Sequence, residues 1–327
     1  MTAAGLFGKM PAFGDFVSVG TGTPAYRAFE HWLQGSNDAM AERGLELPKD
    51  PLGFMIRNEE ARSLLVGILV GSSDSVGRVF PLGLFYEVSA EGVCLAGLPH
   101  ALASELARLA GVARKARRRG HEEIKALVRA LPLPEAKDLA IRSQAQLHRL
   151  RIVKTKMMLE RTYGEADGRY YGTEAILRAC ELTPGRKQSA PLVLEGEAHT
   201  DIELMFLLAS VDAMSGGHQP GAVLWEVRNH RALLVLGRPD ERLLALMVGR
   251  GEADRLWPVR TDRADVARRA RDQLREELCE LLDSSDPVSA KEFLDSMAVA
   301  CKPRPDEDTA AAPKDKQRQR KWQRRVL

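Results

Sequence analysis

Residues 67–88 place an apolar run (Ile68, Leu69, Val70), a polar stretch (Ser72 to Arg78) and a second apolar run (Val79 to Val88) in succession. Runs of this length bounded by glycine and polar residues predict strand, exposed connection, strand. Gly71 and Gly77 give the connection backbone freedom, and Ser72, Ser73, Asp74 and Ser75 can bond their own backbone to fix a turn. Arg78 follows Asp74 by four residues, so the two pair if the connection contains a helical turn. Upstream, residues 5–20 hold short apolar segments cut by glycines, which predicts a first strand and a tight return. Pro24 then opens a helix with Tyr26, Phe29, Trp32 and Leu33 on one face. Residues 45–51 read as a loop, 54–56 as a short strand, and 93–98 as another strand ended at Pro99.

From Pro99 the apolar spacing turns helical. Leu102, Leu106, Leu109 and Ala113 form a stripe that Ile124, Leu127, Val128 and Leu131 resume. Between them Arg114, Lys115, Arg117, Arg118 and Arg119 cluster, as on a solvated helix end. Leu131-Pro132-Leu133-Pro134 breaks the helix, and residues 135–161 read as a further helical segment. In the second part residues 192–194 suggest a strand, and Thr200 with Glu203 form a capping box opening a helix to Met214. Residues 222–227 and 232–236 suggest a hairpin with Trp225 alternating with Val223 and Val227, followed by a helix with Leu243, Leu244 and Met247. Leu95-Ala96-Gly97-Leu98-Pro99 before Leu102 and Leu106 has the same form as Val235-Leu236-Gly237-Arg238-Pro239 before Leu243 and Met247, consistent with two similarly built halves of a sheet. Residues 264–282 read as a last amphipathic helix.

The elements define an α+β chain, mainly an antiparallel sheet flanked by helices. Its expected parts are an N-terminal α+β domain (1–131), a helical connector (132–161), a second α+β part with C-terminal helices (162–302) and a disordered basic tail (303–327). A chain of 327 residues with 44% hydrophobic content can bury a full core. The net charge of +3 is uneven: residues 314–327 carry seven basic side chains against Asp315, net +6, which leaves −3 for the remainder. There is no basic-plus-apolar leader and no apolar run of spanning length, so the expected location is the cytoplasm. Cys94, Cys180, Cys279 and Cys301 are far apart and form no CxxC pair, which points to reduced thiols.

Familiar catalytic patterns are incomplete. Gly77 is followed by Arg78 and Val79, which does not end a phosphate-binding loop, and Gly71-Ser72-Ser73-Asp74-Ser75 lacks the final glycine of a nucleophile elbow. His121-Glu122-Glu123 has Lys125 where a zinc protease helix needs its second histidine. His199 with Asp201, and His218 with His230, meet as metal ligands only by long-range convergence, so surface or capping roles are the ordinary reading. A pocket of Asp15, Ser73, Asp74 and Arg78 is the alternative, hydrolase or phosphatase-like, reading. Trp322 among the tail's basic residues leaves open contact with nucleic acid or an acidic surface.

Three motifs occur in order: Gly8-Lys9-Met10-Pro11-Ala12-Phe13-Gly14-Asp15-Phe16, then Trp32-Leu33-Gln34, then Ser72-Ser73-Asp74-Ser75-Val76-Gly77-Arg78-Val79-Phe80-Pro81-Leu82. In this combination the chain resembles the TagF (ImpM) family, associated with bacterial type VI secretion, over residues 5–100. It departs from the usual pattern at Phe13, Leu52, Gly71 and Val79, where the family commonly has arginine, tryptophan, proline and an aromatic residue. The resemblance implies a longin-like or profilin-like N-terminal region and a cytoplasmic, non-catalytic regulator. Such a protein represses type VI secretion after translation by binding a forkhead-associated-domain scaffold protein, with no cofactor, metal or small-molecule substrate. Some family members carry a fused metal-dependent phosphatase domain, whose paired Asp-Gly motifs are absent here. The motif residues Gly8, Lys9, Pro11, Gly14, Asp15, Phe16, Trp32, Ser72, Asp74, Val76, Gly77, Arg78, Phe80 and Pro81 are the candidates for partner contact or for a structural turn cluster. Asp15, Asp74 and Arg78 are expected to form one charged surface, the guanidinium held between the two carboxylates, with Phe16 and Phe80 buried beneath.

Overall fold

Nine strands form one sheet in the computed structural model, which describes residues 3–20, 22–58, 62–163, 168–182, 192–215, 219–226, 230–249, 256–258, 264–284 and 288–301. The strands are β1 (Ala3–Gly8), β2 (Val17–Val19), β3 (Leu52–Asn58), β4 (Ser63–Val70), β5 (Leu82–Ser89), β6 (Leu192–Glu197), β7 (Ala222–Glu226), β8 (Arg231–Leu236) and β9 (Leu256–Pro258). Their order is β2-β1-β5-β4-β3-β7-β8-β6-β9, and every neighbouring pair is antiparallel except β6 and β9. The α+β reading therefore holds, and so does the hairpin over residues 67–88: β4 and β5 pair from Ser63↔Ser89 to Val70↔Leu82.

Strand β4 is buried along its whole length because helices cover both faces of the sheet. Its Leu64, Val66, Ile68 and Val70 enter one core and Leu65 and Leu69 the other, as the two-residue repeat of a strand requires. The second of these cores is roofed by α1 (Pro24–Ala41) and α9 (Leu243–Gly249), whose Phe29, Trp32, Leu33, Leu243 and Leu244 pack with Phe54, Phe85, Leu224 and Leu233. Thr23 caps α1 by accepting from the Tyr26 amide at 3.1 Å, and Pro24 supplies its first turn. The opposite core receives the remaining helices. These are α2 (Leu98–Ala101), α3 (Ala103–Ala116), α4 (His121–Arg129), α5 (Ala136–Gln146), α6 (Thr155–Tyr163), α7 (Gly168–Leu182), α8 (Asp201–Ser215), α10 (Ala264–Gln273), α11 (Glu276–Asp283) and α12 (Ala290–Ala300).

The two halves meet at β3 and β7, where Gly53 lies opposite Trp225. A side chain at Gly53 would collide with that indole, so the glycine makes room for the tryptophan across the junction. On either side of β3 the pattern is repeated in mirror order. β1, followed by α1, pairs with the second strand of the β4–β5 hairpin; β6, followed by α8, pairs with the second strand of the β7–β8 hairpin. The faces are exchanged: α1 and α9 share one, α3 and α8 the other. The two glycine–proline helix openings occupy matching places but differ in backbone. Pro99 lies inside α2, whereas Gly237 has φ +100° and α9 begins only at Leu243.

Four expectations need correction. Residues 93–98 are not a strand. They form a turn leading into α2, with the Cys94 amide donating to Ser143 Oγ at 3.1 Å and Gly97 pressed against the Ser143 carbonyl, so packing on α5 buries the apolar run. The helical segment over 135–161 breaks after a 3-10 turn at Leu147–Arg151, because residues 153–155 bond to 288–290 instead, through Thr155 N–H to Val288 O at 3.2 Å and Ala290 N–H to Val153 O at 2.8 Å. The helix over 264–282 is two helices, divided at Arg275, which is extended and begins α11. It is not the last, since α12 follows. The sequence signal for α12 is Ser289 with Glu292, which form a reciprocal capping box. The box expected at Thr200 and Glu203 is present, with the Thr200 amide donating to Glu203 Oε2 at 3.0 Å. The basic tail and His218 lie outside the described residues. Among the described residues no helix is long and apolar enough to cross a membrane.

Candidate partner-binding rim at the two glycine turns

β1 and β4 flank β5 and run in the same direction, so the loops that leave them, residues 9–16 and 71–81, emerge at one end of the sheet. Gly8 starts the first loop with φ +143°, and its Cα is so close to the Pro81 carbonyl that a side chain there would strike it. The second loop continues the hairpin through the Ser73↔Val79 bridge and the Phe80 amide bonded to the Ser72 carbonyl at 3.0 Å. At its tip Asp74 N–H donates to Arg78 O at 3.0 Å and Gly77, with φ +88°, donates to Asp74 O at 3.1 Å. Asp74 and Arg78 thus pair in a side-chain-braced turn and not in a helical one.

The Asp74 carboxylate is the centre of the arrangement and its side chain is fully buried. Oδ1 accepts from the amides of Val76 at 3.1 Å and Arg78 at 2.9 Å; Oδ2 accepts from Lys9 Nζ at 2.9 Å and Arg78 Nε at 2.6 Å. Burial alone would raise its pKa, but the hydrogen bonds from Lys9, from Arg78 and from the two amides outweigh burial and hold it well below the usual carboxylate range. Arg78 also donates through Nη2 to Gly14 O at 2.5 Å, and Ser75 N–H donates to Phe13 O at 3.1 Å, so the second loop is tied to the first by three links.

Asp15 does not join this cluster. It is exposed and accepts from the Phe16 amide at 2.7 Å, so the guanidinium lies between Asp74 and a backbone carbonyl, not between two carboxylates. The second charge partner of Asp74 is Lys9, one of the candidate motif residues but not one expected to meet this carboxylate. Phe80 is buried as expected, but Phe16 is 39% exposed, stacked on Phe7 at 5.3 Å and set edge-on to Phe80 at 4.8 Å, with Lys9 Nζ 5.2 Å from its ring centre. Val76 at the tip is 71% exposed and Val79 43%. Pro11 and Gly14 are exposed in the first loop. Trp32 lies elsewhere, buried on α1, its Nε1–H donating to Asp240 O at 2.9 Å in the turn before α9. Lys9 and Asp74 each stand in a motif singled out from the sequence, but nothing in the sequence pairs them, and the Phe13–His121 ring contact has no sequence signal.

Because Asp74 is depressed, the stability it contributes is complete above its unfolded-state pKa of about 4 and declines as pH falls below that value. The turns should therefore keep their structure from neutral pH to about 5. In Lys9→Met one stabilising cation is lost and the Asp74 pKa rises, so acid unfolding followed by circular dichroism should set in at higher pH than in the wild type. An unshifted acid midpoint would show that Lys9 does not govern the carboxylate.

The arrangement is that of a fixed α+β surface, with polar groups satisfied inward and apolar side chains presented outward. Residues 5–131 match the family described as TagF N-terminal domain, type VI secretion system-associated, and the whole rim falls within that span. The chain thus carries a TagF N-terminal domain, in agreement with the family resemblance of its three motifs, and is associated with type VI secretion. Among solved structures, PA0076 from Pseudomonas aeruginosa PAO1 is similar at 21% identity, covering 44% of this chain and 77% of its own, with a TM-score of 0.36. No curated protein matches the chain.

Proposed function

We propose that this protein is a cytoplasmic, non-catalytic regulator that represses type VI secretion after translation by binding a forkhead-associated-domain scaffold protein. The supporting observation is the rim: Phe16, Val76 and Val79 are held outward by two loops that Asp74, Lys9 and Arg78 lock together. Rigid loops carrying exposed apolar side chains suit recognition of another protein, since little order is lost on binding. Asp74 spends its acceptors on four donors, which favours binding over a hydrolytic pocket at the same place. Deleting the gene should raise secretion of type VI effectors while their transcripts stay constant, and overproduction should silence it. The scaffold should co-purify with the protein from cells with an active secretion cluster. Secretion unchanged in both directions would remove the repressor reading.

A further inference from the structure

We infer that the two glycine turns and the neighbouring connection between α3 and α4 form one docking surface for an acidic polypeptide segment bearing apolar side chains. The connection is seated against the turns on two sides. Phe13 of the first loop stacks on His121, the first residue of α4, with ring centroids 4.0 Å apart. Arg117 Nη2 donates to the Lys49 carbonyl, and the adjacent Pro48 carbonyl accepts from the Gly71 amide at 2.7 Å at the base of the second loop. The connection is thus tied to the first loop at Phe13, whose carbonyl accepts from the Ser75 amide next to Val76, and, through Arg117, to the segment that holds the base of the second loop.

Two cations in the last turn of α3, Arg114 and Lys115, are what a helix C-terminus favours. Arg117, Arg118 and Arg119 extend the basic run beyond that helix end. Arg119 is matched by Glu123 and Arg117 is bonded to a carbonyl, but Arg114, Lys115 and Arg118 are exposed and meet no carboxylate among the described residues. Across the two turns and the connection, Lys9, Arg78, Arg114, Lys115, Arg117, Arg118, Arg119 and Lys125 stand against Asp15, Asp74, Glu122 and Glu123, so the local balance is positive. An acidic partner accounts for the unmatched cations through charge complementarity, and its apolar side chains account for the exposed Phe16, Val76 and Val79. The reading in the preceding section is used only to say which protein supplies the segment.

The experiment uses the full chain, as wild type, as the triple variant Arg114→Glu/Lys115→Glu/Arg118→Glu, and as Val76→Asp. All four positions are exposed, so every variant should stay folded, with the melt of the triple variant lowered only slightly by the two glutamates in the last turn of α3. Two probes are titrated: the purified forkhead-associated scaffold, and a fluorescein-labelled peptide of glutamates interrupted by leucines. Tail charges are the same in every variant and cancel from the comparison. Both probes should lose affinity by about tenfold or more in the triple variant, with a weaker salt dependence, and also weaken in Val76→Asp. If the wild type binds the scaffold and the variants bind it equally well, the docking surface is overturned while the repressor reading stands. If the wild type does not bind the scaffold, that partner assignment falls and the peptide decides: loss in the variants upholds the surface, and equal binding overturns it. A single-stranded oligonucleotide of equal charge that binds more tightly than the peptide, and is lost in the triple variant, would also overturn the proposal by making the ligand a nucleic acid.

Discussion

Gly8→Ala is expected to destabilise the protein by roughly 3 kcal/mol or more and to disorder both loops of the rim. Two costs of about 1–3 kcal/mol each combine: a non-glycine residue held at positive φ, and a methyl group forced into the Pro81 carbonyl, which belongs to a strand-flanking backbone that cannot yield cheaply. Gly77→Ala is the internal comparison. Its φ is also positive, at +88°, but nothing stands where its side chain would go, so only the conformational cost of about 1–2 kcal/mol applies. Denaturant unfolding of the two variants separates the close approach from the dihedral. If Gly8→Ala proves as mild as Gly77→Ala, the contact between the loops is not what fixes that glycine.

Trp32→Ala should cost about 3–5 kcal/mol, because it empties a buried indole from the core shared by α1 and α9. Trp32→Phe retains most of the ring but loses the bond to the Asp240 carbonyl, and should cost less, about 0.5–1.5 kcal/mol for the hydrogen bond together with a small packing term. Although the indole links α1 of the first half to Asp240 of the second, both variants should still unfold in one transition, because the β3–β7 pairing and the shared core remain. Two separate transitions, with one half melting alone, would mean that the indole and its bond to Asp240, more than the β3–β7 seam, hold the halves in one cooperative unit.

Much of this fold is legible from local chemistry. The β4–β5 hairpin follows from apolar runs around a glycine-bearing turn, α1 from Pro24 and its aromatic stripe, and α8 from the Thr200–Glu203 box, all signals contained within about twenty residues. The misreadings arise where distant contacts decide. Residues 93–98 carry an apolar run that suits a strand, yet Ser143 captures the Cys94 amide; residues 153–155 sit inside a helical pattern, yet their backbone bonds to 288–290. The rim follows the same rule. Asp74 with Arg78 is local and was readable at four residues' spacing, whereas Lys9 reaches Asp74 from 65 residues away and Asp15 turns to its own neighbouring amide. The motifs locate the rim because they record both loops, but periodicity alone does not say which cation meets which carboxylate.

The pairing of β3 with β7 has a further consequence for how the chain is made. β3 acquires β4 almost at once, but its other edge waits for residues 222–226. At ribosomal rates of about 5–20 residues per second, that interval is on the order of 10–30 s. Through it the nascent chain holds out a row of open amides and carbonyls beside Leu52, Phe54 and Ile56, with α9 not yet available to cover them. The finished sheet conceals this edge. Aggregation during expression is therefore expected to track the time taken to synthesise the second half, and slowing initiation, which keeps neighbouring nascent chains apart, should improve the soluble yield.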